Sequence, residues 1–183
     1  MNFIILIVKV LYFLMPAAFA NMTPVFVRNS FKSLAYPVDF NKKLFGSRLF
    51  GSHKTFRGFI FGILAGIIIV ILQSYLYRYS FFQKISLLDY TRVNIFIFGF
   101  LIGFGVLFGD LIGSFIKRRF NFRPGESFYI LDQINSGIGL AVFIVPFYFK
   151  SWNLAFWIII IWFIGHLIIK YIGYLFNIDK EKI

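Results

Sequence analysis

The sequence contains no cysteine, so it carries neither a disulfide framework nor a thiolate nucleophile or thiolate metal site. It has two histidines, His53 and His166, and they do not make a metal pair. His166 lies inside an apolar run, where a hydrogen bond to a neighbouring helix is its ordinary use. There is no long internal repeat and no Walker A phosphate loop: Gly46 and Lys54 are too far apart for G-x-x-x-x-G-K-[ST], and His53 precedes the lysine. Negative charge is scarce. Seven acids stand against 19 bases, a net charge of +12.

What is abundant is apolar. Of 183 residues, 60% are hydrophobic and 22% aromatic, and the mean hydropathy is +0.81. Soluble domains average about half apolar residues or fewer, so the excess here must face lipid. Basic charge beside membrane spans marks cytoplasmic loops, or contact with anionic lipid and phosphate.

A helical span needs roughly 20 apolar residues. Five stretches qualify or nearly do: about 2–27, 58–77, 93–113, 134–149 and 152–176. The first is interrupted by Lys9, Pro16 and Asn21; the fourth is short and contains Pro146. The expected fold is therefore all-α, one integral membrane domain over 1–183 with five transmembrane helices. Lys/Arg counts orient it. Arg28, Lys32, Lys42, Lys43, Arg48, Lys54 and Arg57 lie in 28–57; Lys117, Arg118, Arg119 and Arg123 lie in 114–133; Lys180 and Lys182 follow the last span. The other side holds Arg78, Lys84, Arg92 and Lys150. Loops 28–57 and 114–133 and the C-terminus are thus predicted cytoplasmic, with the N-terminus outside. Ala18-Phe19-Ala20 resembles a signal-peptide cleavage site, but the basic n-region of such peptides is missing. The segment is expected to be retained.

Four stretches carry candidate chemistry. In Gly109-Asp110-Leu-Ile-Gly-Ser114-Phe-Ile-Lys117-Arg118-Arg119, the spacing i, i+4, i+7, i+8 puts Asp110, Ser114, Lys117 and Arg118 on one helix face. A carboxylate, a hydroxyl and two cations suit a metal-bound polyphosphate. The alternative is a stop-transfer anchor, with Asp110 paired to one of its cations. The second stretch is Asp132, before span four, either a helix N-cap or a second carboxylate for Mg²⁺ beside Asp110. Between these two, Arg123-Pro124-Gly125-Glu126 reads as a turn, with Glu126 solvated. Third, Gly51-Ser52-His53-Lys54-Thr55-Phe56-Arg57-Gly58 puts glycines, hydroxyls and cations at a helix start, which favours phosphate but also suits a basic flanking loop. Fourth, Ala20-Asn21-Met22-Thr23-Pro24-Val25 is a polar helix end, with an Asn amide able to read a base edge or ribose.

Taken in order, these stretches, with Pro37-Val38-Asp39, Lys42 and Lys43, resemble the CDP-archaeol synthase family, membrane cytidylyltransferases related to CDP-diacylglycerol synthases. The G-D-x-x-x-S-x-x-K-R-R piece carries the most weight, and the resemblance covers nearly the whole chain. It implies five spans, Mg²⁺, and a reaction of CTP with unsaturated archaeol phosphate, an isoprenoid glycerol phosphate lipid, to give CDP-archaeol and pyrophosphate. Phe56 stands where members often have Trp. Asn135 stands where they commonly carry an acid, which leaves metal ligation to Asp110 and Asp132. In that reading Asp110, Asp132 and Lys117 are catalytic. Asn21, Lys54, Thr55, Arg57, Ser114 and Arg118 bind CTP and phosphate.

The rivals are a CDP-diacylglycerol synthase acting on phosphatidate, a CTP-dependent polyprenol kinase, and a small transporter or scaffold that binds no CTP. A CDP-alcohol phosphotransferase is disfavoured because D-G-x-x-A-R is missing. Membrane lipids are expected partners, a homodimer is left open, and no nucleic acid is called for.

Overall fold

The computed structural model describes residues 3–123, 126 and 128–175. Five helices in it are long and apolar enough to cross a membrane. They are α1 (Phe3–Phe26), α2 (Phe56–Leu76), α4 (Ile95–Arg119), α5 (Tyr129–Ile144) extended by a π-helical turn (Val145–Phe149), and α6 (Trp152–Leu175). A short α3 (Ser80–Ile85) follows α2, and a hairpin of β1 (Lys43–Leu44) and β2 (Ser47–Arg48) interrupts the segment between α1 and α2. The all-α class and the five spans hold. The short α3 and the hairpin are not foreseen by the sequence, because segments of two to six residues leave no periodicity to read.

Helix α4 is the centre: it packs on α1, α2 and α5, while α6 packs on α5 and α1. Without a hydrophobic drive between helices in lipid, close association depends on small residues that let backbones approach. Glycines supply this on both flanks of α4. A Cβ on Gly99 would come within 2.8 Å of the Ile67 Cα, and one on Gly139 within 2.3 Å of the Gly105 carbonyl. At the α1–α2 crossing, a Cβ on Gly62 would lie 2.7 Å from the Ala20 carbonyl. Pro24, inside α1, has no N–H to give that carbonyl.

Two helix ends differ from the expectation. Span three was predicted to end near 113, where hydropathy falls, but α4 runs on to Arg119. Ser114, Lys117 and Arg118 are thus helical, as their one-face spacing with Asp110 requires, although the span boundary put them in 114–133. Asp132 is not an N-cap. Phe128 is the cap residue of α5, and Asp132, in the first turn, accepts its backbone N–H at 2.9 Å. The acid reaches back to an orphan amide, as in a capping box, near the helix's positive end. The fourth span changes geometry at its proline: Pro146 falls in the π-turn, and Lys150 closes it in a left-handed conformation at φ 49°.

Candidate active site

The site is assembled around α4 at the basic end of the bundle. The spacing predicted from sequence is observed: Asp110 and Lys117 lie along α4 with Ser114 and Arg118, the last two buried. Seven residues are two turns, about 10 Å along the axis.

Lys54 comes to this face from the segment preceding α2, and that segment is held by Asp39. The Asp39 carboxylate is buried, 2% exposed. It accepts from Arg48 Nη2 at 2.5 Å and Nε at 3.2 Å, and from the backbone N–H groups of Asn41 (3.0 Å), Phe50 (3.3 Å) and Gly51 (3.1 Å). Burial pushes its pKa up, but the Arg48 guanidinium and the three N–H groups outweigh this and hold it below the ordinary carboxyl range. Gly51 has φ +104°, a conformation side chains rarely adopt, which fixes the turn before Lys54. Two backbone hydrogen bonds then set the lysine: Val38 N–H donates to the Lys54 carbonyl at 2.8 Å and Phe56 N–H to the Tyr36 carbonyl at 2.9 Å, together forming an antiparallel bridge between Pro37 and Thr55. Thr55 caps α2, its Oγ accepting the Gly58 N–H at 3.3 Å.

With its backbone so placed, Lys54 pairs with Asp110. Their side chains are 28% and 31% exposed, so the pair is reachable from water. A pocket of about 60 Å³ beside it is lined by Pro24, His53, Thr55, Gly58 and Leu107. Two turns further along the same face of α4, Lys117 meets Asp132 at 2.7 Å and 2.9 Å to its two oxygens and also donates to the Glu126 carbonyl at 3.0 Å. Glu126 itself accepts the Arg123 N–H at 2.7 Å.

Beneath these pairs lies a polar floor between α4 and α5. Ser114, Gln133, Asn135 and Ser136 are buried. Asn135 lies directly over Gly113, where a Cβ would fall 1.8 Å from its Nδ2. Asn135 Nδ2 and Gln133 Nε2 have no hydrogen-bond partner, although buried amides ordinarily find one.

Not every candidate joins this cluster. Arg57 is buried and donates to the Ser30 carbonyl at 2.7 Å, tying α2 to the end of α1. Arg118 donates to the Phe122 carbonyl and packs against Gly51. Asn21 lines a different cavity of about 180 Å³, between α1 and α6, with Trp162 and His166. Asp39 was quoted among the resembling residues, but no site role was given to it; a buried acid nine residues from its arginine follows no spacing rule. Arg119 is also structural: it donates to the carbonyls of Leu44, Ser47 and Arg48 and so holds the hairpin on the end of α4.

Mg²⁺ prefers one or two carboxylates completed by water and substrate phosphates over an all-protein cage. Among the described residues no three His, Asp or Glu gather. Two separate carboxylates with hard oxygen donors fit that sparse kind of site.

Comparisons with known proteins agree with this architecture. The sequence profile of the CarS-like CDP-archaeol synthases matches residues 3–182. The CDP-archaeol synthase of Pyrococcus furiosus is 38% identical over 141 residues, 76% of each chain. That of Methanococcus maripaludis strain C6 is 36% identical over 181 residues, 98% of each chain. A solved intramembrane enzyme for archaeal membrane lipid biosynthesis superposes with a TM-score of 0.61 at 27% identity, covering 87% of this chain and 90% of that one. With a matching profile along nearly its whole length and curated relatives over a third identical, the chain belongs to the CDP-archaeol synthase family.

Proposed function

We propose that the chain joins CTP to unsaturated archaeol phosphate, giving CDP-archaeol and pyrophosphate, at the cytoplasmic face. Family membership makes it a membrane-embedded, CTP-dependent nucleotidyltransferase of lipid synthesis. The lipid substrate, the metal and the residue roles are the reading proposed here. The observation that carries it is the pair of carboxylates, Asp110 and Asp132, set against one face of α4 and each accompanied by a lysine.

The chemistry asks little of a general base. A lipid phosphate has a second pKa near ~6, by analogy with phosphorylated side chains, and is already anionic at neutral pH. One of its oxygens attacks the α-phosphorus of CTP. The bond from that phosphorus to the bridging oxygen breaks, and pyrophosphate leaves with the electron pair. The obstacle is repulsion between two anions, so positioning and charge neutralisation supply the catalysis. Asp110 and Asp132 would hold Mg²⁺, which when bound neutralises phosphate oxygens and stabilises the leaving group. Lys54 and Lys117 reach the same face and can meet the remaining oxygens. Ser114 can donate from the buried side. Arg57 and Arg118, engaged with backbone carbonyls, support the walls and add positive field. Thr55 presents the start of α2, where free N–H groups favour phosphate.

The test is an assay of the purified chain with labelled CTP, Mg²⁺ and a panel of lipid phosphates, scored by product mass. The expected result is a CDP-lipid with pyrophosphate, fastest with the geranylgeranyl ether lipid. Preference for phosphatidate would reassign the substrate to ester lipid. Release of CDP with a phosphorylated lipid would make the chain a kinase.

A further inference from the structure

Six cations around the candidate site fall into two classes by what holds them. Four arginines are tied to fixed protein groups: Arg48 to buried Asp39, Arg57 to the Ser30 carbonyl, Arg118 to Phe122, and Arg119 to three hairpin carbonyls. The two lysines instead rest on Asp110 and Asp132, the carboxylates to which the proposed reading gives the metal. The division follows the chemistry of the side chains. A guanidinium is a planar fork suited to permanent bidentate seating, whereas an ammonium is a point charge on a flexible four-carbon stem.

We propose that Lys54 and Lys117 are exchangeable counter-ions, which neutralise the two site carboxylates until a divalent cation takes their place and then move onto the phosphates of the nucleotide. This rests on the reading of Asp110 and Asp132 as metal ligands and adds to it a coupling between metal and nucleotide. An ammonium and a divalent cation on the same carboxylate repel one another strongly at contact distance. Each lysine therefore weakens metal binding while it stays on its acid. Once displaced, it needs an anion, and a triphosphate on the same helix face provides one. Both pairs are partly exposed, with lysine side chains at 28% and 12%, so exchange requires only rotation of a side chain. Lys117 has a second acceptor in the Glu126 carbonyl, which keeps it near the site after it leaves Asp132.

This coupling has a signature that a merely structural lysine cannot give: the same substitution tightens metal binding and weakens nucleotide binding. The full chain in detergent is titrated with Mn²⁺ in the absence of nucleotide, following free Mn²⁺ by electron paramagnetic resonance. Lys54→Gln and Lys117→Gln should each bind Mn²⁺ about tenfold more tightly than wild type, the scale of one neighbouring charge on a carboxylate. The same variants should bind CTP at saturating Mg²⁺ about tenfold more weakly. Lys54→Arg, which keeps the charge and grips the carboxylate more firmly, should bind Mn²⁺ no better than wild type. If the glutamine variants bind Mn²⁺ with unchanged or weaker affinity while Asp110→Asn loses it, the exchange is wrong and the metal site stands. If Asp110→Asn binds Mn²⁺ like wild type, or wild type does not bind CTP, both the exchange and the functional reading fall.

Discussion

The two ends of the helix bundle are held together by different kinds of interaction. At the basic end the contacts are ionic: Asp39 with Arg48, Lys54 with Asp110, Lys117 with Asp132. At the opposite end they are neutral and aromatic. Gln73, 2% exposed, donates to the Tyr12 carbonyl at 2.6 Å and accepts from the Tyr90 hydroxyl at 2.7 Å. Tyr90 also packs edge-on against Tyr77 and Phe98. The one ion pair described there, Arg92 with Asp89, has its arginine 84% exposed and adds little. That neutral link is closed within the protein, the Gln73 amide bonding at both its nitrogen and its oxygen. An ionic one at a half-exposed boundary can trade partners, and trading partners is what handling a charged nucleotide requires. On the proposed reading, the neutral end serves architecture alone and the basic end carries the chemistry as well.

Substitutions can break that division, beginning with the largest expected effect. Asp110→Asn should reduce cytidylyl transfer by about a thousandfold or more, the scale of losing a group that acts in the transition state, while leaving thermal stability near wild type. Retained turnover with CTP and Mg²⁺ would remove Asp110 from the mechanism. Asp39→Asn should act on the same end by loosening it. Losing the buried charge partner of Arg48 is expected to cost about 2–3 kcal/mol locally, below the full buried-pair value because Arg48 is partly exposed. Faster hydrogen exchange over 36–55, with α2 and α4 unchanged, is the readout. The pH dependence has a definite sign. A carboxyl whose folded pKa is depressed contributes stability that is present above its unfolded pKa and lost as pH falls through the folded value. Loop exchange in wild type should therefore quicken only under acid conditions, below the ordinary carboxyl range, and the asparagine variant should lose that transition. The smallest effect is expected from the neutral end. Tyr90→Phe leaves the Gln73 carbonyl oxygen without its donor and should cost about 1–2 kcal/mol, seen as a lower unfolding temperature with an unchanged KM for CTP. A rise in that KM would show that the two ends are coupled.

Much of this was readable in the sequence because lipid imposes a length rule. Five apolar runs near 20 residues could only be five helices, and the i, i+4, i+7, i+8 spacing put Asp110, Ser114, Lys117 and Arg118 on one face before any coordinates. The span boundary near 113 falls short of the end of α4 because hydropathy marks where lipid stops rather than where a helix stops. Lysine and arginine are good helix formers, and here each of the three terminal cations finds a partner. The hairpin was not legible, since its strands have two residues each and are held by Asp39 and Arg119 from outside. The partner of each acid was equally out of reach. Lys54 lies 56 positions from Asp110, a pairing decided by the backbone contacts of Val38 and Phe56 and by nothing local to either residue.

Along α4, Gly99 and Gly103 meet α2, and Gly105 and Gly109 meet α5, almost backbone to backbone. Contacts of that kind have no side chain to re-pack, so the helix bearing Asp110 and Lys117 has little freedom to slide or roll against its neighbours. Turnover nevertheless requires a water-soluble triphosphate to enter and a lipid to leave. Movement that admits them is therefore expected outside the α2–α4–α5 core, in α6 and the segment hung from Asp39, with α4 as the stationary element between.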